Sequence, residues 1–180
     1  MGFVAAIESG FRQYFKFSGR ASRSEFWYWV LFMVSTGILL KMLDKSIFDA
    51  PVMGITLYPV SDSFAWLTLF PFLALTWRRV HDTGRSGWWV GSGFLWFIFT
   101  VIFAIIMAIF IPWAIKAGIV VNEGNAEAFK AFFKAAPFVM TGVNIIWVII
   151  LFVFCCIDTK EGDNKYGEDP KYSQGAVVFN

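Results

Sequence analysis

The chain has 180 residues, of which 58% are hydrophobic, 20% aromatic and only 16% charged. Soluble domains are about 45–50% apolar and about 25% charged, and one domain of this length could not bury all 22 Phe and 9 Trp side chains. The composition therefore excludes an ordinary soluble domain and indicates a membrane protein. The formal net charge of +2 gives no reason to expect nucleic acid as a partner.

Residues 3–17 have the spacing of an amphipathic helix. Apolar side chains recur every three or four positions, whereas the charged ones lie away from this stripe, which consists of Phe3, Ile7, Phe11, Tyr14 and Phe15. The pattern predicts an N-terminal helix that lies flat in the cytoplasmic membrane interface. A helix packed on the protein's own membrane helices would show the same pattern, so both interpretations stay open. The first residues do not have the pattern of a signal peptide.

Long apolar stretches predict four membrane-spanning helices, because a helix needs about 20 mostly apolar residues to cross the hydrocarbon core. The stretches are 26–43, 59–77, 88–115 and 136–157, with no charge apart from Lys41 near the end of the first and Asp62 near the start of the second. Tryptophans near their ends favour the headgroup level and support these boundaries. The fold class predicted is all-α, an integral membrane bundle of four transmembrane helices.

The remaining segments are predicted to lie outside the bilayer. Residues 44–58 contain turn-forming residues and predict an outer loop. Residues 126–135 have helical spacing and predict a short outer helix before the fourth span. We expect a single membrane domain, 1–180, in which 1–25 form the cytoplasmic interfacial helix and first motif, 26–157 the bundle, and 158–180 a polar cytoplasmic tail that is loop or partly disordered.

The distribution of basic residues predicts the orientation of the bundle. One side carries ten of them: Arg12, Lys16, Arg20, Arg23, Arg78, Arg79, Arg85, Lys160, Lys165 and Lys171. The other side carries five: Lys41, Lys45, Lys116, Lys130 and Lys134. Because cytoplasmic loops are enriched in Lys and Arg, we expect a multi-pass protein of the bacterial inner membrane with both termini in the cytoplasm.

Three polar motifs fall on the predicted cytoplasmic side, at 17–27, 78–89 and 162–170. Neighbouring helix ends would bring them together into one Arg/Trp face, formed by Arg20, Arg23, Glu25, Arg78, Arg79, His81, Asp82, Arg85, Trp88 and Trp89. Arginine forks bind phosphate in a bidentate way and Trp favours the headgroup level. The face is therefore a candidate site for anionic lipid headgroups, or for a partner protein or second copy of the chain. Arginines that set the topology and pair internally with Asp82 and Glu25 are the competing interpretation.

Other functions receive less support from the sequence. No catalytic or metal-binding motif is recognisable, so we expect no enzyme activity, cofactor or metal. A small transport or channel component is the first alternative, with a water path to Asp62, Asn144 or Lys41, although charge is missing from the middle of the spans. A lipid-modifying enzyme that uses His81 and Asp82 is the second. The adjacent Cys155 and Cys156 are read as buried thiols, with a redox or acylation role as the alternative.

At these motifs the chain resembles a bacterial inner-membrane family, the YhaH-like proteins called domain of unknown function 805. The resemblance rests on Gly19-Arg20, Arg23-Ser24-Glu25-Phe26-Trp27, Arg78-Arg79-Val80-His81-Asp82-Thr83-Gly84-Arg85-Ser86-Gly87-Trp88-Trp89, Asn164-Lys165-Tyr166-Gly167 and Asp169-Pro170. Together these strings frame nearly the whole chain. The resemblance implies an integral inner-membrane protein and supplies no catalytic residues. Residues 88–135 look longer than the family pattern, which predicts an added helix on the outer surface.

Overall fold

The computed structural model describes residues 1–48, 58–117 and 123–170. This part of the chain forms five helices and no β-strand: α1 (Phe3–Arg12), α2 (Arg23–Ile47), α3 (Pro59–Asp82), α4 (Trp88–Lys116) and α5 (Glu123–Cys156). The prediction of an all-α protein is confirmed for these residues. Most of the predicted outer loop, 49–57, lies outside the described residues.

Among the described residues, three helical segments are long and apolar enough to cross a membrane, judged by length and composition: Arg23–Ile47, Trp88–Ala114 and Ala131–Cys156. They contain the first predicted span and all but the last residue of the third and fourth. The helix α3, which contains the second predicted span, is not among them. Its length is sufficient, but Asp62 near its start and the charged residues of its last turn lower its apolar character.

The chain divides into two compact units, which we describe separately. The first unit contains Met1–Trp88 and the segment that begins at Phe154, and the second contains Trp89–Val153. All but one of the predicted contact residues belong to the first unit, and the exception is Trp89.

In the first unit, α1 is shorter than predicted and packs against α2. It ends at Arg12 instead of continuing to residue 17. Its buried residues are small, Ala6, Ser9 and Gly10, and a Cβ atom added at Gly10 would lie 2.3 Å from the ring of Trp29. The absence of a side chain at position 10 therefore sets how closely α1 approaches α2.

Side chains near the two ends of α2 cap helices, one capping α2 itself and the other capping α3. Ser22 precedes the helix and its hydroxyl accepts the backbone N–H of Glu25 at 3.3 Å, as in the first half of a capping box. Near the other end, Asp44 is fully buried, and its carboxylate accepts the N–H groups of Val60 and Ser61 at 3.1 and 2.7 Å. The first N–H groups of a helix have no partner within the helix, so Asp44 of α2 caps α3. The sequence analysis did not identify this role.

The helix α3 continues five residues beyond the predicted span and ends at Asp82. The predicted spans 59–77 and 88–115 leave residues 78–87 between them as a connection, but residues 78–82 form the last turn of α3, so the connection is shorter than these spans predict. Pro71 lies inside α3 and has no N–H to offer to the carbonyl of Leu67. The hydroxyl of Tyr14 donates to this carbonyl at 2.5 Å, which compensates for the missing helical bond.

In the second unit, α4 and the first part of α5 contain prolines within the helix, Pro112 and Pro137. The separate outer helix predicted over 126–135 is wrong, because α5 runs without a break through Pro137; a proline removes one bond of the ladder without having to end the helix. Trp147 donates its indole N–H to the carbonyl of Trp89 at 3.0 Å. A Cβ at Gly93 would lie 2.0 Å from the same indole, so glycine is needed there for close helix packing.

Candidate functional site

The last turn of α3 places charged residues on the inner side of the first unit. Residues three apart on a helix share a face, so the side chains of Arg79 and Asp82 meet and form an ion pair with both groups fully buried. The linker before α2 runs beside this turn, because the N–H of Ala21 donates to the carbonyl of Arg78 at 3.2 Å. Residues from the first and second sequence motifs are therefore in contact.

Asp82 is the centre of this arrangement, which we call the buried arginine cluster (Arg20, Arg79 and Asp82). Arg20 donates from Nε to the Asp82 carboxylate at 2.9 Å, and Arg79 donates to the other carboxylate oxygen. The three side chains are almost completely buried, with exposures of 0–1%. A buried charge is tolerated only when it is paired and hydrogen-bonded, and two guanidinium groups meet that condition for Asp82.

Arg79 also fixes the end of α5. Its Nε donates to the carbonyl of Cys155 at 3.2 Å, and Nη2 donates to the carbonyl of Ile157. The last carbonyls of a helix have no partner within it, and a cation there also interacts favourably with the helix dipole. The Nη1 atom of Arg79 also donates to the carbonyl of Ala21 and the hydroxyl of Thr159. One side chain thus joins α3, α5 and the linker before α2.

Arg20 performs the same task for the polar segment after α5. Its two terminal nitrogens donate to the carbonyls of Lys160 at 2.5 Å and Gly162 at 2.6 Å. Within this segment, Asp169 accepts the N–H of Gly162 at 3.0 Å, and its own N–H donates to Asp163. The described part of the tail, 158–170, is therefore held in a defined conformation by the third motif, where the sequence analysis expected a loop or partial disorder.

A second buried pair lies between α1, α2 and α3. Arg78 donates to Glu25 at 3.3 Å and to Gln13 at 2.9 Å, and Ser9 donates to the same carboxylate at 2.9 Å. The Nε and Nη2 atoms of Arg78 are buried without a hydrogen-bond partner among the described residues. Burial lowers the pKa of Arg78 below its usual range, although the charge of Glu25 opposes the shift.

His81 connects the end of α3 to the third motif. Its ring stacks on that of Tyr166, with ring centroids 3.8 Å apart and planes within 3° of each other. Its Nδ1 lies 3.2 Å from the carbonyl of Gly19, and Asn164 donates to the backbone carbonyl of His81 at 3.1 Å. Gly19 has a φ of +92°, a conformation that glycine adopts without strain. The single histidine of the chain is therefore part of the contact that holds the tail.

Burial lowers the pKa of His81 below its usual value, and nearby Lys165 acts in the same direction, whereas the hydrogen bond to Gly19 opposes the shift. The neutral form of His81 is thus favoured in the folded protein. For Arg79, burial also lowers the pKa, and the charge of Asp82 opposes this shift.

Acidification is expected to destabilise the protein partly through His81. Because its pKa is lower in the folded than in the unfolded state, the unfolded state binds more protons as the pH falls through about 6.5. This contribution to stability is present above that value and is lost below it. The measurement is the fall in unfolding temperature in detergent between about pH 7.5 and 5.5. This fall should be smaller for His81→Phe than for the unsubstituted protein, because phenylalanine keeps the aromatic stack but does not titrate. An equal fall in both proteins would contradict this.

The remaining predicted contact residues lie at the surface. Arg23 pairs with Asp158 at 2.8 Å, and both side chains are substantially exposed, at 46% and 73%. Arg85 is exposed and its guanidinium lies 4.4 Å from the ring centroid of Phe154. Trp88 and Trp89 are exposed as well. The predicted face therefore consists of two groups: a buried one with Arg20, Glu25, Arg78, Arg79, His81 and Asp82, and an exposed one with Arg23, Arg85, Trp88 and Trp89.

The sequence analysis missed residues that complete these contacts. Gln13 and Ser9 bind the Arg78–Glu25 pair, and Tyr166 stacks on His81. The third motif was a signal for Tyr166, but its partner could not be read from the sequence. Within the described ranges, no three His, Cys, Asp or Glu side chains are grouped as metal ligands would be. Cys155 is buried and Cys156 half-buried, and both are free thiols.

The chain belongs to the family described as protein of unknown function (DUF805), whose model matches residues 14–168. This confirms the resemblance found in the three motifs. The chain is 27% identical to inner membrane protein YhaI of Escherichia coli K12 over 161 residues, which cover 89% of this chain and 91% of the relative.

Two further relatives come from the same organism. Inner membrane protein YhaH is 31% identical over 160 residues, with 89% of this chain and 91% of the relative covered. Uncharacterized protein YiiR is 28% identical over 156 residues, or 86% of each chain. No solved structure gives a significant match. YhaI and YhaH, both described as inner membrane proteins, support an inner-membrane location for the family.

Proposed function

We propose that this chain is a non-enzymatic inner-membrane protein that binds anionic phospholipid headgroups through an exposed basic rim. The rim consists of the exposed residues Arg23, Arg85 and Lys160, and the exposed Trp88 follows Arg85 by three residues. One observation supports the proposal. The charged residues of the motifs separate into a buried group, which is used for internal pairing, and a group whose side chains are exposed at the surface. Only the exposed group can reach a headgroup without unfolding the protein.

The rim surrounds the end of α5. Arg85 lies over the ring of Phe154, and Arg23 pairs with Asp158, four residues further along the chain. Lys160 follows, and its side chain lies near Gly84. Each basic residue near an anionic membrane surface contributes about 1 kcal/mol to binding, so three of them around one helix end favour a headgroup with a net negative charge over a zwitterionic one.

The proposal includes four membrane crossings and two cytoplasmic termini. Besides the three long apolar helices, α3 also crosses the membrane, as the second crossing in chain order. Its 24 residues are about 36 Å long, and no charge occurs between Asp62 and Arg78. The location of the relatives in the inner membrane and the excess of basic residues on one side support this orientation.

The contacts of the remaining candidates favour structural roles. Asp82 is occupied by two arginines, and the ring of His81 is stacked on Tyr166, which leaves this pair poorly placed for acid–base chemistry on a lipid. Among the residues suggested for a transport path, Asn144 donates to the carbonyl of Met140 in its own helix, and Lys41 lies over the ring of Tyr58. These contacts support a non-enzymatic and non-transporting protein.

The double substitution Arg23→Gln with Arg85→Gln is expected to weaken binding of phosphatidylglycerol by about fivefold for each arginine removed. The measurement is native mass spectrometry of protein released from nanodiscs that contain phosphatidylglycerol and phosphatidylcholine. The matched control is Lys41→Gln with Lys45→Gln, which removes the same charge at the other end of α2.

Equal retention of phosphatidylglycerol by both double variants would refute the proposed rim. Loss of a protein partner or of a dimer instead of lipid, seen in the same spectra, would also count against it and would indicate a protein interface. A raised salt concentration should weaken binding to the unsubstituted protein, because exposed charges are screened.

A further inference from the structure

The turn after α1 is fixed to the middle part of α3. The hydroxyl of Tyr14 donates at 2.5 Å to the carbonyl of Leu67, which Pro71 leaves without its helical partner. In hydrocarbon such a carbonyl has no water to bind and must be satisfied by the protein. Tyr14 is therefore held at this level of α3.

This level lies well inside the apolar part of α3. Leu67 precedes Arg78 by eleven residues, which corresponds to about 16 Å along a helix. Phe70, whose ring centroid is 5.6 Å from that of Phe15, precedes Arg78 by about 12 Å. All residues of α3 between 64 and 77 are uncharged. The tip of the turn is thus placed beside the uncharged segment and away from the charged end of the helix.

The tip presents an apolar surface to its surroundings. Phe15 is 68% exposed and Phe70 is 47% exposed, although the two rings are in contact. Basic side chains flank the tip on both sides, because Arg12 and Lys16 are exposed. Long basic side chains beside an apolar surface can extend to the headgroup level while their stems stay in the hydrocarbon.

From this geometry we infer that residues 13–17 form a membrane-inserted wedge, in which Phe15 and Phe70 together contact lipid acyl chains. The occupant is lipid because the surface lies beside the uncharged part of α3, at a depth where headgroups do not reach. In place of a helix that lies flat in the interface over 3–17, the wedge gives a helix that ends at Arg12 and is followed by a turn that enters the bilayer. The inference rests on the proposed crossing of α3, and the experiment separates the two.

The experiment measures the depth of spin labels in vesicles of phosphatidylethanolamine and phosphatidylglycerol. Labels are attached to Phe15→Cys, Phe70→Cys and Arg12→Cys, each in a Cys155→Ala, Cys156→Ala background. Oxygen collects among acyl chains and a water-soluble nickel chelate does not. We expect collisions with oxygen to exceed those with nickel severalfold at positions 15 and 70, and the reverse at position 12.

Each outcome has a separate meaning. Nickel access at position 15 with oxygen access at position 70 would overturn the wedge and leave the crossing of α3 intact. Nickel access at position 70 would overturn the crossing and the wedge with it. Protection of position 15 from both reagents would mean that protein covers it, which also refutes lipid contact. Adding Tyr14→Phe should lower the oxygen-to-nickel ratio at position 15 and leave position 70 unchanged; an unchanged ratio would refute the anchoring role of Tyr14.

Discussion

Replacing Arg79 with alanine is expected to lower the free energy of unfolding by about 3–5 kcal/mol. The side chain is fully buried and binds the Asp82 carboxylate together with the carbonyls of Cys155 and Ile157. Its removal leaves part of a buried carboxylate and the end of α5 without donors, and neither group can regain water without opening the fold. The measurement is chemical or thermal unfolding of the purified protein in detergent micelles.

Two further variants test the cause of this loss. Arg79→Lys keeps the charge but has one side-chain nitrogen in place of three, so it cannot bind α3, α5 and the linker together. Its loss of unfolding free energy should therefore be smaller than that of Arg79→Ala but still measurable. Arg12→Ala removes an exposed arginine whose ion pair with Glu8 is 4.0 Å long, and should change stability by less than about 0.5 kcal/mol. Equal effects of Arg79→Ala and Arg12→Ala would contradict the role of the buried arginine cluster.

The substitution Gly10→Ala is expected to destabilise the protein by about 2 kcal/mol. The added Cβ would lie 2.3 Å from two ring carbons of Trp29, a residue that is fully buried. Alanine favours a helix over glycine by about 0.5–1 kcal/mol, so the steric cost has to exceed that gain. The unfolding midpoint in detergent would report the net change.

The control for this prediction is Gly37→Ala, in the middle of α2. A Cβ at position 37 meets no atom within 4 Å, so only the helix preference acts and a small stabilisation is expected. Opposite signs for the two substitutions would identify the contact between α1 and α2 as the cause. A stabilising Gly10→Ala would show that α1 does not pack closely on Trp29.

The packing of α1 also bears on the proposed contacts with lipid. The helix is joined to α2 through Gly10 and Ser9, and the following turn is joined to α3 through Tyr14. The sequence analysis left two interpretations open, an interfacial helix and a helix packed on the protein. The structure shows α1 packed on α2 through Gly10 and also leaves Phe3, Phe11 and Phe15 exposed, so contact of this exposed side with the membrane interface stays a prediction.

The sequence by itself determined the helical class and the position of the apolar segments. Stretches without charge are stable as helices in hydrocarbon whatever surrounds them, because each satisfies its own backbone bonds. The family could also be identified from local sequence, since the motif from Arg78 to Trp89 can be recognised without knowing which residues it contacts. Helix ends were less predictable: α3 includes Arg78 to Asp82 because its charged residues have partners elsewhere in the fold.

Only the tertiary structure decided which charged residues are buried. Arg20 and Arg23 are three residues apart in one motif, yet the first is buried against Asp82 and the second is exposed beside Asp158. Likewise, nothing local shows that Asp44 caps α3, that Tyr14 binds the carbonyl left by Pro71, or that Tyr166 stacks on His81. The physical reason is that a charge or a polar group is buried only where distant parts of the chain supply its partners, and the pairing of distant segments is not written in local sequence patterns.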